Sequence, residues 1–525
     1  MKFLQQSPFI RLFMFFLCGS VTQHRTDVSA GFVPLTVGAV LLAGVSFIPV
    51  IQRKWRWRGV FGMGLGLGLF ACGGFVMQLS QQQSAWTEEL TSTHLYEAIV
   101  IDDPVLKPKS RMCRVEIRSA DDSIYQHVVG KKAVLYLALD SLSQTVVVGN
   151  RLFFYANLEA APPYLREFAA TGFVPAGQWL LKSAGALHTT PIRFMGLRVP
   201  ESSSGQARLS RPAMTLPIMA LNVRRALLEK LQEIVPNHAP YGLAAAMMFG
   251  DRSDVETGLK LAFANIGAAH ILAISGTHFT ILFGMLYYLL SFVGNSRRAK
   301  ILKHGLMLPL IWGFAFMTGF SPSVFRAALM MSLWAIGDAF SFRSLTLNTV
   351  AIAAFFMLLY EPVYLFDVGF QLSFLAVISI VLINPHLVKL YQSRNPVLNY
   401  VWELCCVSIS AQLGVLPLTV YYFHQFPVLF LATNLLLLPL STIIIGLIPA
   451  TLLMVALVGN FSLISLPLNG CLNGFVAITR TLDAYSYHNI NGIFISVWEM
   501  FAWSAVIVLF LLIVIKKTAH LKNNS

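Results

Sequence analysis

Long apolar segments separated by short polar stretches run through most of this chain, and the pattern predicts membrane-spanning helices. A helix needs about 20 apolar residues to cross a hydrocarbon layer roughly 30 Å thick. Three such segments open the protein, near residues 8–23, 30–51 and 59–79. The later segments are predicted at 239–250, 258–275, 277–293, 305–320, 322–340, 346–360, 366–384, 400–423, 427–457, 461–480 and 497–515. The first of these is short enough to enter and leave the membrane on one side.

Residues 80–215 have a different pattern, in which charges of both signs return and short runs of β-forming residues appear. Asp-Asp, Gly-Lys and Gly-Asn pairs separate these runs, as turns separate strands. The predicted strands are Leu95–Ile101, Cys113–Arg118, Ala133–Leu139 and Arg151–Ala156. A domain of this size and composition is predicted to be β-rich and OB-fold-like, which is a small, partly open barrel.

An amphipathic helix is predicted after the β-rich domain, and such a helix lies in the plane of the membrane interface. Its apolar face is predicted to carry Leu221, Leu228, Leu231 and Val235. Its charged face is predicted to carry Arg224, Arg225, Glu229, Lys230 and Glu233. The chain is therefore divided into N-terminal transmembrane helices at 1–79, the β-rich domain at 80–215, the amphipathic interfacial helix at 216–238, a second transmembrane domain at 239–517 and a tail at 518–525.

The composition agrees with this division, since 56% of the 525 residues are hydrophobic and only 12% are charged. Soluble proteins average about 25% charged residues. The net charge of +14 has two explanations. One is the enrichment of Lys and Arg in cytoplasmic loops. The other is an affinity for a polyanion or for an anionic membrane surface.

Basic residues between the apolar segments predict the orientation of the protein in the inner (cytoplasmic) membrane. The turn Gln52–Arg58 is basic and contains Trp55 and Trp57, so it is placed in the cytoplasm. The following helix must then emerge on the outer side, and the β-rich domain is predicted to lie outside. Lys516 and Lys517 place the C-terminus in the cytoplasm, on the same side as the N-terminus.

Motifs of soluble enzymes are absent from the sequence. It contains no HExxH, no GxxxxGK[ST] and no His-x-His-x-Asp-His, and its six cysteines form no CxxC pair. A metal-dependent hydrolase and an ATP-driven pump are therefore disfavoured, and we predict neither a metal nor another cofactor.

Polar residues inside apolar segments are costly and are therefore candidates for function. The first group contains Asp251 and Arg252, followed by His270, Ser275 and His278. On one helix, Ser275 and His278 would lie one turn apart on the same side. Three roles are open for this group: lining of a conduit, hydrogen bonds between packed helices, or catalysis by a Ser/His pair that has no carboxylate nearby in sequence.

Arg326 follows a turn that contains Pro322 and precedes a long apolar run. A guanidinium binds phosphate in a bidentate manner, although an interfacial arginine that reaches toward water would give the same pattern. Asp367 is predicted to cap the next helix. The remaining polar candidates are Gln371, Ser373, Gln412 and Asn434.

Four sequence blocks resemble those of the ComEC-type competence proteins. They are Gly250–Ser253 with His270–His278, Ser321–Ala327, Asp367–Phe374, and Gln412–Pro417 with Asn434. The blocks occur in the order of that family, and the β-rich domain with its leading helices is similar to the family's N-terminal part.

The resemblance implies an inner-membrane channel that conducts single-stranded DNA into the cytoplasm during natural transformation, without enzymatic activity of its own. Carried over to this sequence, the core of the channel would contain Asp251, Arg252, His270, Ser275, His278, Arg326, Gln371, Ser373, Gln412 and Asn434. The expected partners are single-stranded DNA, membrane lipids, a cytoplasmic DNA motor or single-strand-binding protein, and a separate nuclease. A nuclease is expected separately because this sequence lacks the metallo-β-lactamase-like motif that many relatives carry at the C-terminus.

Three other functions are open at this stage. The same polar core could serve a transporter of another anionic or lipid-linked substrate, or an intramembrane hydrolase built on Ser275 and His278. The β-rich domain could also make the protein a membrane scaffold for other uptake proteins.

Overall fold

The computed structural model divides the chain into two compact units. One unit contains Leu79–Val223, and the other contains Met1–Gln78 together with Arg224–Ser525. The structure describes residues 8–26, 58–84, 94–102, 104–107, 109–120, 128–140, 143–161, 169–175, 179–182, 193–194, 197–198, 216–294, 296–340, 346–459, 462–486 and 490–509. The predicted helix at 30–51, most of the basic turn, Tyr125 and the C-terminal lysines lie outside the described residues.

The smaller unit is a β half-barrel. Its described strands are β1 (His94–Val100), β2 (Val105–Leu106), β3 (Ser110–Ala120), β4 (Lys132–Ala138), β5 (Arg151–Ala156), β6 (Glu159–Ala160), β7 (Ala170–Val174), β8 (Trp179–Lys182), β9 (Arg193–Phe194) and β10 (Leu197–Arg198). The main sheet has the order β6-β7-β4-β3-β1-β5-β8, with β2 beside β3. All pairings in it are antiparallel except that of β4 with β7, which is parallel.

Along each strand, successive side chains point to opposite faces of the sheet, and those on the inner face form the core of this unit. In β3, Cys113, Val115 and Ile117 are buried. The rings of Tyr96 and Phe154 stack inside the sheet with their centroids 5.4 Å apart. Phe154 is fully buried and belongs to the core of the half-barrel.

The described helices of the larger unit agree closely with the apolar segments. They are α1 (Pro8–Thr26), α2 (Arg58–Ser84), α3 (Leu216–Ile234), α4 (His238–Phe249), α5 (Thr257–Asn265), α6 (Ala269–Leu272), α7 (Gly276–Leu289), α8 (Arg297–Met317), α9 (Pro322–Ala339), α10 (Thr346–Tyr360), α11 (Val368–Leu387), α12 (Pro396–Phe423), α13 (Phe430–Val458), α14 (Ser462–Ala484) and α15 (Val497–Leu509). Three described stretches are long and apolar enough to cross a membrane: Val368–Leu390, Pro396–Phe423 and Phe430–Val458.

The single helix predicted at 258–275 is wrong, because the chain breaks there into α5 and α6. Gly267 has a φ of +75° and lies between the two helices. A left-handed glycine ends a helix at little cost. A side chain at this position would also collide with the ring of Pro427.

Glycines bring α1 and α2 into close contact. A Cβ atom on Gly19 would overlap the carbonyl oxygen of Phe70, and one on Gly73 would overlap that of Phe16. The hydroxyl of Ser20 donates a hydrogen bond to the Gly73 carbonyl over 3.1 Å. Small residues let the two backbones approach, as they do in membrane helix pairs.

Helix α3 packs on the larger unit through its C-terminal half, where Leu231 and Val235 are fully buried. One residue of its predicted charged face was placed wrongly. Arg224 is only 7% exposed, and its Nη2 lies 3.6 Å from the carboxylate of Asp251. The arginine is buried because the loop after α4 brings an acidic partner to that side of the helix.

Candidate functional site

The start of α7 carries a local cap made by Ser275 and His278. Ser275 is the N-cap residue, in extended conformation, and its backbone N–H donates to Nδ1 of His278 over 3.1 Å. The Oγ atom of Ser275 is 2.8 Å from the same ring nitrogen. His278 is buried, and its Nε2 has no hydrogen-bond partner among the described residues.

Arg326 lies in the second turn of α9, and the sequence explains the start of this helix. Pro322 occupies the first helical turn, where its missing N–H is not needed. The Arg326 side chain is buried beside the beginning of α7, and its Nη2 lies 3.2 Å from the point where a Cβ on Gly276 would be. Its guanidinium carbon is 5.8 Å from the centre of the Phe374 ring. Its Nη1 has no hydrogen-bond partner among the described residues.

The first turns of α11 complete this arrangement. Asp367 caps the helix by accepting from the backbone N–H of Phe370 over 2.7 Å, as predicted. The hydroxyl of Ser323, at the start of α9, lies 3.4 Å from the hydroxyl of Ser373. We use the term Arg326 cluster for Ser275, Gly276, His278, Ser323, Arg326, Ser373 and Phe374. The N-terminal parts of α7, α9 and α11 therefore meet at one polar cluster.

Helix α13 begins on the same side of the unit as α7. The loop residue Gly267 lies against Phe430, the first residue of α13, and Met285 in α7 lies near Gly446. These two contacts require α7 and α13 to run in the same direction. In the second turn of α13, the Oδ1 atom of Asn434 is buried and has no hydrogen-bond partner among the described residues.

The two predicted glutamines lie apart from each other. Gln371 donates to the carbonyl of Leu365 over 2.9 Å and accepts from the hydroxyl of Tyr422 over 2.9 Å. Gln412 is half-buried on α12, ten residues before Tyr422. At 1.5 Å per residue, that is about 15 Å along the helix axis.

The first predicted group is divided between different places. The Asp251 carboxylate accepts from the backbone N–H and the hydroxyl of Ser253, over 3.0 Å and 2.6 Å, and pairs with Arg224. Arg252 and His270 are exposed. His270 is accessible to solvent, but it lies within electrostatic range of the buried His278, so the two histidines stay near each other.

The Arg326 cluster contains one guanidinium and no carboxylate, and Asp367, which lies next to it along the chain of α11, is occupied in capping that helix. The sequence contains no Asp or Glu between Glu256 and Asp338. Asp338 itself, in the last turn of α9, is bound by Lys300 at 2.8 Å and by His304 at 3.0 Å. Helix N-termini present partial positive charge and backbone N–H groups to an anion. The described residues contain no group of three or more His, Cys, Asp or Glu that could hold a metal ion.

Two further residues matter in this region, and sequence reasoning missed only Tyr422. Gly276 matters because a larger residue would crowd the Arg326 guanidinium, and Tyr422 matters because it holds Gln371. The position of a glycine directly after an N-cap serine is a usable signal for close approach. Nothing in the sequence indicates that Tyr422 and Gln371 are partners.

The helices and the buried polar cluster define a membrane protein with an attached β half-barrel. The chain belongs to the family described as Competence protein, whose family model matches residues 247–517. The matched residues include the whole Arg326 cluster.

Parts of the chain are also similar to three curated proteins. It is 33% identical over 222 residues to "ComE operon protein 3" of Bacillus subtilis (strain 168). The aligned residues make up 42% of this chain and 27% of that protein. It is 27% identical over 213 residues to an uncharacterized protein of Aquifex aeolicus (strain VF5), covering 40% and 48% of the two chains. It is 24% identical over 319 residues to the uncharacterized protein YcaI of Escherichia coli (strain K12), covering 57% and 40%.

The matched parts thus span no more than about half the length of these relatives. No solved structure matches the chain.

Proposed function

We propose that this protein is an inner-membrane channel that conducts single-stranded DNA into the cytoplasm during natural transformation. The observation that carries the proposal is Arg326, a buried guanidinium beside the N-terminus of α7 with no acidic residue near it in sequence. Membership of the competence family supports a role in DNA uptake.

The chemistry of the cargo explains why such a site would be needed. Every nucleotide carries a negative phosphate, and an uncompensated charge at the centre of a bilayer costs at least about 3 kcal/mol. A passage for this cargo has to supply fixed positive charge and hydrogen-bond donors, and it has to avoid carboxylates. Arg326 supplies the charge, and the hydroxyls of Ser323 and Ser373 supply neutral donors within the same cluster.

The β half-barrel is proposed to be an OB-fold on the outer side of the membrane. Its strand order supports this assignment, because β1, β3 and β4 form a meander, β5 returns beside β1, and β7 lies parallel to β4. Strand β5 also approaches β7, which brings the sheet toward closure. OB-folds bind single strands on a sheet face through basic and aromatic side chains.

An outward-facing row on this sheet is the proposed surface for the bases. Tyr136 in β4 pairs with Met112 in β3 and with Phe173 in β7, so the three side chains lie side by side on one face. Phe173 is 56% exposed. Stacking on such rings tolerates any base sequence, as a channel for arbitrary DNA requires.

The proposed channel performs no chemistry on its cargo and depends on other proteins. No nucleotide-binding motif is present in the sequence, so a cytoplasmic DNA motor or single-strand-binding protein would pull the strand inward. Degradation of the other strand is assigned to a separate nuclease.

Substitution of Arg326 tests the proposal. In cells that take up labelled DNA, we expect Arg326→Gln to abolish arrival of label in the cytoplasm while leaving attachment of labelled DNA to the cell surface intact. Arg326→Lys should retain part of the activity, because it keeps the charge but loses the bidentate fork. The matched control is Arg298→Gln, which removes an exposed arginine near the start of α8.

Three other results would each favour a different function. Normal import by Arg326→Gln would exclude the proposed channel. Loss of partner recruitment at the membrane, with the protein otherwise intact, would favour a scaffold. Normal DNA import with loss of another anionic solute would favour a transporter.

One observation favours a second candidate, an intramembrane hydrolase, namely the 2.8 Å contact between the Ser275 hydroxyl and His278. The pair lacks a carboxylate to orient the ring, and the same ring nitrogen accepts from the Ser275 backbone. The arrangement is better explained as a helix cap, with a histidine in the place that Glu usually takes in a capping box.

A further inference from the structure

The ion pair between Arg224 and Asp251 lies outside the Arg326 cluster and has no role in the proposed passage itself. Arg224 is 7% exposed and is the first residue of α3 that belongs to the larger unit. Its Nη2 atom lies 3.6 Å from Oδ2 of Asp251. Burial of a charged pair costs desolvation and gives little net stability. The pair therefore calls for a role beyond stability.

The loop that carries Asp251 is held rigidly at the end of α4. The backbone N–H groups of Gly250 and Asp251 donate to the carbonyls of Ala246 and Ala245, each over 3.2 Å. Gly250 has a φ of +72°, the conformation that glycine adopts after a helix. The Asp251 carboxylate is fixed further by Ser253, so its position depends on both the loop and Arg224.

The same loop lies next to both segments that lead into the helices around Arg326. A Cβ on Gly250 would lie 3.2 Å from the side chain of Ile274 and 3.5 Å from the carbonyl oxygen of Thr318. Ile274 directly precedes the N-cap Ser275, and it is buried in one cluster with Val324 of α9. Thr318 directly precedes the turn that leads into α9.

That turn has an unusual backbone. Phe320 has a φ of +54°, which is rare for a bulky residue. Such conformations persist only where the surroundings hold them, and they cluster at functional sites. The Phe320 ring packs against Trp312 and Phe325, with ring centres 5.9 Å and 5.2 Å apart. A shift of the Thr318 carbonyl would therefore act on a strained turn two residues before α9.

We propose that Arg224 and Asp251 form a latch that sets the position of the Arg326 cluster, through Gly250 acting on Ile274 and on the Thr318 carbonyl. The inference rests on the proposed function of Arg326 as a phosphate ligand. Arg224 and Asp251 are positioning residues in this scheme, and neither needs to contact DNA. Contiguous packed contacts of this kind carry coupling energies between neighbouring sites.

The proposal makes a prediction opposite to that of simple electrostatics. Removing a carboxylate near an anion path should strengthen DNA binding if Asp251 acts only through its charge. A positioning role predicts that Asp251→Asn weakens binding of single-stranded DNA by about tenfold, because Arg326 no longer lies where a phosphate can reach it.

The test uses the full chain in lipid nanodiscs and a fluorescent oligonucleotide, with affinity measured over a series of salt concentrations. We expect Asp251→Asn and Arg326→Gln each to reduce the slope of log affinity against log salt concentration by about one, which corresponds to the loss of one phosphate contact. The reversed pair, Arg224→Asp with Asp251→Arg, should recover affinity and salt dependence, whereas each reversal alone should lose both. The matched control is Glu233→Gln, which breaks the exposed Lys230–Glu233 pair on the same helix without effect.

Two outcomes would overturn the latch. One is unchanged or stronger DNA binding by Asp251→Asn, and the other is failure of the reversed pair to recover affinity when the variant is folded. Failure of the proposed function gives a different result, in which Arg326→Gln itself leaves affinity and salt dependence unchanged.

Discussion

The hydroxyl oxygen of Ser275 and Nδ1 of His278 are 2.8 Å apart at the first turn of α7, and the backbone N–H of Ser275 donates to the same nitrogen. Because Nδ1 accepts from the backbone, the proton of the neutral ring lies on Nε2. The pair therefore closes the start of the helix, and the ring presents one buried N–H away from the cap.

Substitution of Ser275 separates capping from catalysis. We expect Ser275→Ala to lower the free energy of unfolding by about 1 kcal/mol, the usual effect of a lost N-cap. Ser275→Asn keeps a capping side chain and should restore stability together with DNA import. Thermal unfolding in detergent and import of labelled DNA are the two measurements. A stable Ser275→Asn protein with no activity would instead indicate a nucleophilic serine.

Close packing of α1 and α2 predicts a large effect at Gly19. Gly19→Leu should destabilise the protein by about 1–3 kcal/mol or more, since overpacking forces the two backbones apart. The matched control is Gly470→Ala in α14, where a Cβ meets nothing within 4 Å. The loss of stability is measured as a lower midpoint of thermal unfolding. Equal midpoints for the two variants would contradict the described contact.

The outward-facing row of Met112, Tyr136 and Phe173 on the β half-barrel predicts weaker DNA binding when the Phe173 ring is removed. Phe173→Ala should reduce affinity for single-stranded DNA about tenfold, because stacking of one base contributes about 1–3 kcal/mol. The measurement is anisotropy of a labelled oligonucleotide with the full chain in nanodiscs. Phe494→Ala removes a 77% exposed phenylalanine from the helical unit and is expected to bind normally. Equal losses in both variants would argue against a specific surface.

Alkaline pH should destabilise the β half-barrel. Burial raises the pKa of the Cys113 thiol to about 12 and that of Tyr96 to about 12, from ordinary values of 9.0 and 10.0. The folded form therefore keeps protons that the unfolded chain releases, and stability falls as pH rises from about 9 to about 12. Thermal unfolding followed at several pH values should show a shallower decline for Cys113→Ala. An identical decline would show that the thiol does not contribute.

The positions of helices could be predicted well from the sequence, and their ends less well. Apolar length and flanking charge locate α11, α12 and α13, because the bilayer imposes a minimum span. The break at Gly267 escaped prediction, since its cause is the approach of Pro427, which lies 160 residues away in the chain.

The polar residues were harder to place, because partners depend on tertiary contacts. Asp367 was predicted as a cap correctly, since capping is local. Arg224 was assigned to the charged face, although its spacing of four and seven residues from Leu228 and Leu231 places it on their side of the helix. Its burial could therefore have been predicted from the sequence. Gln371 and Gln412 were grouped with Arg326 by polarity and by the resembling sequence blocks. The bond of Gln371 to Tyr422 leaves Gln412 about 15 Å farther along α12.

The break at Gly267 also limits where lipid can lie. Helices α5 and α6, of nine and four residues, are far too short to cross a bilayer, and the peptide groups between them are irregular. Hydrocarbon tolerates such backbone only where protein or water satisfies it. The peptide groups of this segment, within which His270 is exposed, therefore have to be covered by protein or by water rather than by lipid.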